Sequence, residues 1–154
     1  MALTVGTPAP PFEAEAHDGR VVRMADLVGK RRVVLFFYPK DFSFFCTREA
    51  CGLRDVSLEA FARDTTFVGI SRDSVERHRA FAQTHKLVFP LVSDASCRLG
   101  SLYQATSVIR SALGMLSRVT YVIDRRGLIQ GVIEGDLTAK RHVDGVRELL
   151  PRLP

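Results

Sequence analysis

"RVVLFFYPKDFSFFCTREACGLRDVSLEAFARDTTFVGIS", residues 32–71, holds the stretch that decides the fold. After Arg32 the run to Tyr38 is unbroken apolar, rich in β-branched and aromatic side chains. Its length and composition predict a strand buried on both faces. Pro39 ends it. Over 43–64, Phe45, Leu53, Leu58 and Phe61, with Ala50 and Ala60, recur at spacings that suit a helix better than a strand. Ser43 is a residue type favoured at a helix N-cap, whereas Gly52 weakens the second turn by about 1 kcal/mol relative to alanine. "TTFVGIS" (65–71) is a second apolar strand. Strand, helix and strand in this order predict a parallel pair joined by a crossover helix.

Outward from this unit, the opening "GTPAPPF" is loop by its prolines, and "FEAEAHDGRVVRM" (12–24) reads as a hairpin around Asp18-Gly19. Asp73 with Glu76 looks like a capping signal for a helix over 74–85. A short strand follows over 89–94, a helix over 96–104 and a loop with an apolar bias over 105–117. "RVTYVID" and "LIQGVIEG" form a second hairpin, 118–124 with 128–135, and a helix over 138–150 closes the chain. The order predicts an α/β protein with a thioredoxin-like fold: a central mixed sheet flanked by helices, extended by an N-terminal β-hairpin. At 154 residues the chain is expected to be one domain over 1–154, long enough to bury a core without disulfide staples.

With no apolar run near 20 residues, no membrane span is expected. "MALTVGTPAPPF" lacks the basic and apolar regions of a signal peptide, so the expected compartment is cytoplasmic. The net charge of +5 is scattered, with only short basic pieces at expected turns. No basic stripe with interleaved aromatics exists, so nucleic acid is not an expected partner.

Three cysteines, Cys46, Cys51 and Cys97, are an odd count that argues against a disulfide framework. A C-x4-C spacing with histidines far away in sequence is not a zinc pattern, so no metal is expected. Catalytic or redox thiol chemistry remains, against three inert thiols. Open α/β sheets bind ligands beyond the carboxyl ends of their parallel strands, where residues 39–46 lie. With Ser43 as N-cap, Cys46 is the third helical residue, in a turn whose unpaired N–H groups and dipole favour an anion such as a thiolate. The Ser43 hydroxyl, one turn earlier, is near enough to touch a ligand at the sulfur. Glu49 shares the face of Cys46 and could orient a cation beside it, or serve only as an acidic first-turn residue. Arg118 opens a strand expected to run antiparallel to 32–38, which brings its start near Cys46; alternatively it is a surface residue at a strand edge. In a regular helix, residues five apart are about 8–9 Å between Cα atoms, beyond the roughly 4.4–6.8 Å of a disulfide. Cys46 and Cys51 can bond only if the helix unwinds locally, which Gly52 would ease. Cys51 is either that resolving partner or a core residue; Cys97 is a small buried residue or an alternative resolver.

Pro39, Ser43 and Cys46 resemble the peroxiredoxin pattern P-x-x-x-[TS]-x-x-C, and "CTREAC" resembles the peroxiredoxin Q/bacterioferritin comigratory protein subfamily. "FYPKD" and "SRVTYVIDRRG" are similar too, the latter carrying the family's arginine at Arg118, and the resemblance spans about residues 3–150. It implies a thiol peroxidase acting on hydrogen peroxide and organic hydroperoxides. In it the Cys46 thiolate attacks the O–O bond, Ser43 and Arg118 hold and polarise the peroxide, and Pro39 shields the thiol. It further implies that Cys51 forms the disulfide and that thioredoxin or a glutaredoxin-like dithiol protein reduces it. No metal, haem or flavin cofactor is implied, and the chain is expected to be a monomer or homodimer. Phe42-Ser43-Phe44-Phe45 departs from the subfamily's Asp-Thr-Pro-Gly. The three phenylalanines are candidates for an apolar substrate pocket, with core or dimer packing as the other reading. Three other classes share some of these features: a non-catalytic redox switch, a copper carrier of the same fold, and a disulfide reductase. The C-x4-C spacing argues against the second and the lack of C-x-x-C against the third.

Overall fold

The computed structural model describes residues 2–135 and 139–154. An antiparallel hairpin of β1 (Glu13–Glu15) and β2 (Val21–Arg23) leads through one helical turn, α1 (Met24–Leu27), into β3 (Arg32–Phe37). Then come α2 (Phe44–Ser57), a 3-10 turn (Ala60–Ala62), β4 (Thr65–Ser71), α3 (Val75–His85) and β5 (Leu91–Ser93). The chain continues through α4 (Arg98–Leu102), α5 (Val108–Ala112), β6 (Val119–Ile123), β7 (Ile129–Glu134) and α6 (Ala139–Leu149), ending in a 3-10 turn (Leu150–Arg152). Thr138, the expected first residue of the last helix, lies outside the described residues.

The large sheet has the order β5-β4-β3-β6-β7. β3, β4 and β5 are parallel, and β6 runs antiparallel to both β3 and β7. β3 is the middle strand, and its alternate residues enter two separate cores. Val33, Leu35 and Phe37 pack with Phe12, Val22, Met24, Leu99 and Tyr103 under the hairpin, α1 and α4. Val34 and Phe36, with Tyr38 just beyond the strand, pack with Leu53, Phe81 and Val146 under α2, α3 and α6. Burial on both faces is why this strand reads as a continuous apolar run rather than an alternating one. The arrangement is the expected thioredoxin-like α/β fold, and no helix among the described residues is long and apolar enough to cross a membrane.

Several local expectations are corrected. The helix expected over 43–64 stops at Ser57: Leu58 caps it and is exposed, Glu59 turns extended, and a 3-10 turn takes over. The N-cap of α3 is Ser74, whose Oγ accepts from Arg77 N; Asp73 instead accepts from Asp41 N and Ser71 Oγ. The loop expected over 105–117 contains α5, capped by Ser107 Oγ accepting from Arg110 N. Its helical pattern is too short to register as a period.

Gly52 has a second reason to be glycine. α2 and α6 pack closely here, and a Cβ at Gly52 would meet Val143 Cγ2 at 2.6 Å. Gly52→Ala is therefore expected to destabilise the protein by about 1–3 kcal/mol through overpacking, although alanine is the better helix former by about 1 kcal/mol. Urea unfolding of the two proteins checks the sign.

Candidate active site

α2 begins just beyond the carboxyl end of β3. Ser43 takes the extended backbone of an N-cap (φ −71°, ψ 155°), which makes Phe44, Phe45 and Cys46 the first three helical residues. Its side chain does not cap, contrary to what its residue type predicts. The hydroxyl donates to Lys40 O at 2.9 Å and closes the 40–43 turn from within. The first-turn N–H groups, which have no intrahelical acceptor, thus stay oriented toward whatever anion occupies that turn.

Cys46 is almost fully buried, at 1% exposure. Arg118, one residue before β6, meets it from the neighbouring strand. Antiparallel pairing sets Phe37 opposite Val119, so Arg118 falls at the end of β3 that feeds the Cys46 turn. Arg118 Nη2 donates to Cys46 Sγ at 3.1 Å, and Nη1 donates to Glu49 Oε1 at 2.6 Å. One arm of the guanidinium is clamped by Glu49, one turn beyond Cys46, while the other reaches the sulfur. Glu49 is fully buried, and desolvation pushes its carboxyl up to about 7 against the pull of Arg118 and Thr120. Arg118 is itself raised: burial lowers it, but Glu49 and Cys46 together outweigh that.

A raised carboxyl has a consequence for stability. The folded state holds a proton on Glu49 in a pH range where the unfolded chain has released it. Its contribution is fully present below the ordinary glutamate value of 4.5 and is lost as pH rises through about 7. Stability to urea is expected to fall between pH 5 and pH 8 more steeply in the wild type than in Glu49→Gln. Parallel pH profiles would contradict this.

Behind Glu49 lies a polar chain that the sequence reading missed. Thr120 Oγ1 is 3.3 Å from Glu49 Oε2 and 2.7 Å from His142 Nδ1; His142 Nε2 is 3.0 Å from Gly135 O. Two signals were available. Thr120 is two residues past Arg118 on a strand and so shares its face. His142 lies on the buried stripe of α6 with Ala139 and Val146.

The loop before α2 rests on a second buried cluster, also missed. Tyr38 Oη donates to Asp41 Oδ1 at 2.6 Å, and His78 Nδ1 lies 2.6 Å from Asp41 Oδ2. His78 Nε2 is 3.1 Å from Val92 O, an acceptor only, so Nε2 carries a proton and a second proton lies between Nδ1 and Oδ2. Burial first, and Asp41 second, push the Tyr38 phenol well above its usual range, so it remains a donor. Asp41, Asp73 and His78 have ligand atoms close enough to share a cation. Their lone pairs are engaged instead by Tyr38, Ser71, Arg77 and the Asp41 amide. Phe42, between these anchors and Ser43, is held at φ +65°, an uncommon conformation for a side chain of its size.

The remaining expected residues are placed as follows. Pro39 is buried at the end of β3. Cys51 is half-buried further along α2, and all three cysteines are free. Cys97 packs against the other core, across the sheet from Cys46. Phe42 meets Phe81 edge-on at 5.1 Å with Arg77 over its ring. Phe44 and Phe45 meet edge-on at 5.1 Å, Phe44 being 65% exposed, so neither belongs to the core. A cleft of about 340 Å³ beside Pro39 is lined by Lys40, Arg72, Asp73, Leu113 and Met115, and by none of the three phenylalanines.

Residues 5–132 match the family model described as AhpC/TSA family. The chain is 38% identical over 152 residues to chloroplastic peroxiredoxin Q of Sedum lineare, covering 98% of this chain and 80% of that one. It is 36% identical over 132 residues to peroxiredoxin Bcp of Bacillus subtilis, covering 82% of each. The crystal structure of peroxidoxin BcpB from Mycobacterium tuberculosis superposes with a TM-score of 0.86 at 29% identity, covering 99% of both chains.

Proposed function

We propose that Cys46 is the attacking sulfur of this chain, which belongs to the AhpC/TSA family and is a thiol-dependent peroxidase. The observation that carries the proposal is the forked contact of Arg118 with Cys46 Sγ and Glu49 in the first turn of a helix. The guanidinium and the helix N-terminus favour the thiolate, which is the nucleophile. The sulfur attacks one peroxide oxygen: an S–O bond forms, the O–O bond breaks, and the other oxygen leaves as hydroxide or alkoxide and takes up a proton. Arg118, already at the sulfur, stabilises that developing negative charge. Ser43 Oγ gives its proton to Lys40 O, so toward a peroxide O–H it serves as an acceptor. The burial of Pro39 just after β3 supports the shielding role that the family pattern implies for it.

Cys46 is left as a sulfenic acid. Its condensation with the Cys51 thiol releases water and forms a disulfide. Both sulfurs belong to α2, so the first turns must open for this step. Cys97 packs against the core on the far side of the sheet, which supports Cys51 over Cys97 as the resolving thiol. A dithiol protein such as thioredoxin or a glutaredoxin-like reductant then restores the thiols by exchange. Exposed Phe44 and Phe45 support acceptance of organic hydroperoxides beside hydrogen peroxide. Val108, Ile109 and Leu113 leave an exposed apolar strip on and just after α5, with Leu113 in the cleft beside Pro39, which supports a homodimer over a monomer. The two cores share one sheet, which supports residues 1–154 as one domain. Three cysteines, an odd count without a disulfide framework, support a reducing, cytoplasmic setting. No observation favours a non-catalytic redox switch.

The test is stopped-flow mixing of reduced protein with one equivalent of hydrogen peroxide, followed by a count of free thiols. Wild type is expected to react fast and keep one thiol. Cys46→Ser is expected to react no faster than a free thiol, and Cys51→Ser to stall as a sulfenic acid. A Cys51→Ser protein that still loses two thiols would remove Cys51 from the resolving role.

A further inference from the structure

We propose that His142, acting through Thr120, is a positioning residue for the peroxidase reaction: it holds the Glu49 carboxylate in the orientation that keeps Arg118 on the Cys46 sulfur. The proposal rests on Cys46 being the attacking sulfur. It adds a residue from α6, almost a hundred positions along the chain, that touches neither the thiol nor the arginine contact described above.

The argument is one of hydrogen-bond directions. Gly135 O can only accept, so His142 Nε2, 3.0 Å away, is its donor. That leaves Nδ1 facing Thr120 Oγ1 at 2.7 Å and Glu49 Oε2 at 3.4 Å. A hydroxyl has one proton to give. With Nε2 on Gly135 O, a donating Nδ1 makes His142 an imidazolium beside the ionised Glu49 carboxylate, and the Thr120 proton is then free for Glu49 Oε2, 3.3 Å away. The donors then run in one direction, from His142 through Thr120 to Glu49. Reversed, the hydroxyl turns to Nδ1 and Oε2 loses that donor. Oε1 of the same carboxylate takes Arg118 Nη1 at 2.6 Å, so the rotation of the carboxyl about its own axis sets where the guanidinium fork points. Glu49, Thr120 and His142 are all fully buried, so no bulk water makes good a lost contact. Three elements converge here: α2 supplies Glu49, β6 supplies Thr120 and α6 supplies His142. Among the described residues, the charged groups that face the imidazole from these elements include Glu49 and, beyond it, Arg118 and Cys46.

The test is a double-mutant cycle read by the rate of sulfenic acid formation with hydrogen peroxide at about pH 8, above the value of about 7 at which Glu49 gives up its proton. His142→Leu and Thr120→Val are each expected to slow that step about tenfold, and the double variant also about tenfold, because both remove the same support. His142→Asn, whose amide can still donate to Thr120 Oγ1, is expected to recover most of the rate. Val146→Ala, buried on the same helix but away from Glu49, serves as the control for lost packing: it is expected to lower the unfolding midpoint while leaving the rate within twofold of wild type. Single variants at wild-type rate, an additive hundredfold loss in the double variant, or an equal slowing in Val146→Ala would each overturn the proposal. A wild type that reacts no faster than Cys46→Ser would overturn the reading of Cys46, and this one with it.

Discussion

Arg118→Leu is expected to slow the reaction of the reduced protein with hydrogen peroxide by about 100- to 1,000-fold, the loss typical of removing a charge-stabilising donor from a reaction centre. Leucine fills much of the same space but offers nothing to Sγ or to the departing oxygen. It also strands Glu49, whose buried carboxyl loses its strongest ionic partner. Breaking a buried pair from one side typically costs about 3–5 kcal/mol, and proton uptake by Glu49 offsets part of that. The double variant Arg118→Leu/Glu49→Gln separates the two effects. It is expected to regain stability, because no carboxyl is left uncompensated, while staying as slow as Arg118→Leu. Arg118→Lys should be intermediate in rate, since an ammonium cannot span Glu49 Oε1 and Cys46 Sγ with a rigid fork. A leucine variant within threefold of wild type would take the arginine out of the chemistry.

His78→Leu is expected to produce the second large effect, on stability and rate together. His78 and Asp41 are both fully buried, and the imidazole is the Asp41 partner that also ties the loop to β5 through Val92 O. Without it, Asp41 Oδ2 is buried with no side-chain donor in place of Nδ1. The loss is about 3 kcal/mol, or a melting point lower by roughly 10 °C for a domain of this size. The loop that Asp41 anchors also carries Phe42 and Ser43 into the first turn of α2. Peroxide reactivity should therefore fall even well below the melting temperature. Reactivity unchanged at 25 °C in a destabilised variant would show that the cluster supports the fold and not the site.

Much of this architecture was legible in the chain. The doubly buried middle strand, the crossover helix and the antiparallel pair near the end follow from runs of side chains whose period is visible. Cys46, Glu49 and Arg118 were legible for the same reason, as each occupies a position defined by an element: the first turn of a helix, one turn later, and the start of a strand. What stayed hidden was chemistry made by convergence. His142, Thr120, Asp41 and His78 look ordinary in one dimension, and only packing of α6 and α3 onto the sheet gives them partners. Ser43 and Ser74 show the other limit. Both are of a type suited to capping, both occupy the cap position, and only Ser74 uses its side chain for it. The choice is decided by a competing carbonyl, that of Lys40.

The pairing of Phe37 with Val119 bears on which insertions and deletions this chain can accept. Arg118 and Thr120 point to the face of α2 because they are an even step apart on a strand whose odd members, Val119 and Tyr121, fill the opposite core. One residue added within 118–123 would turn the arginine and the threonine to the hairpin side and drive apolar side chains against Glu49, losing reactivity and packing at once. One residue added within 105–117, outside any strand, leaves that parity untouched. Length variation is thus free to accumulate in the segment that carries α5, while the few residues after it must keep an unchanging count.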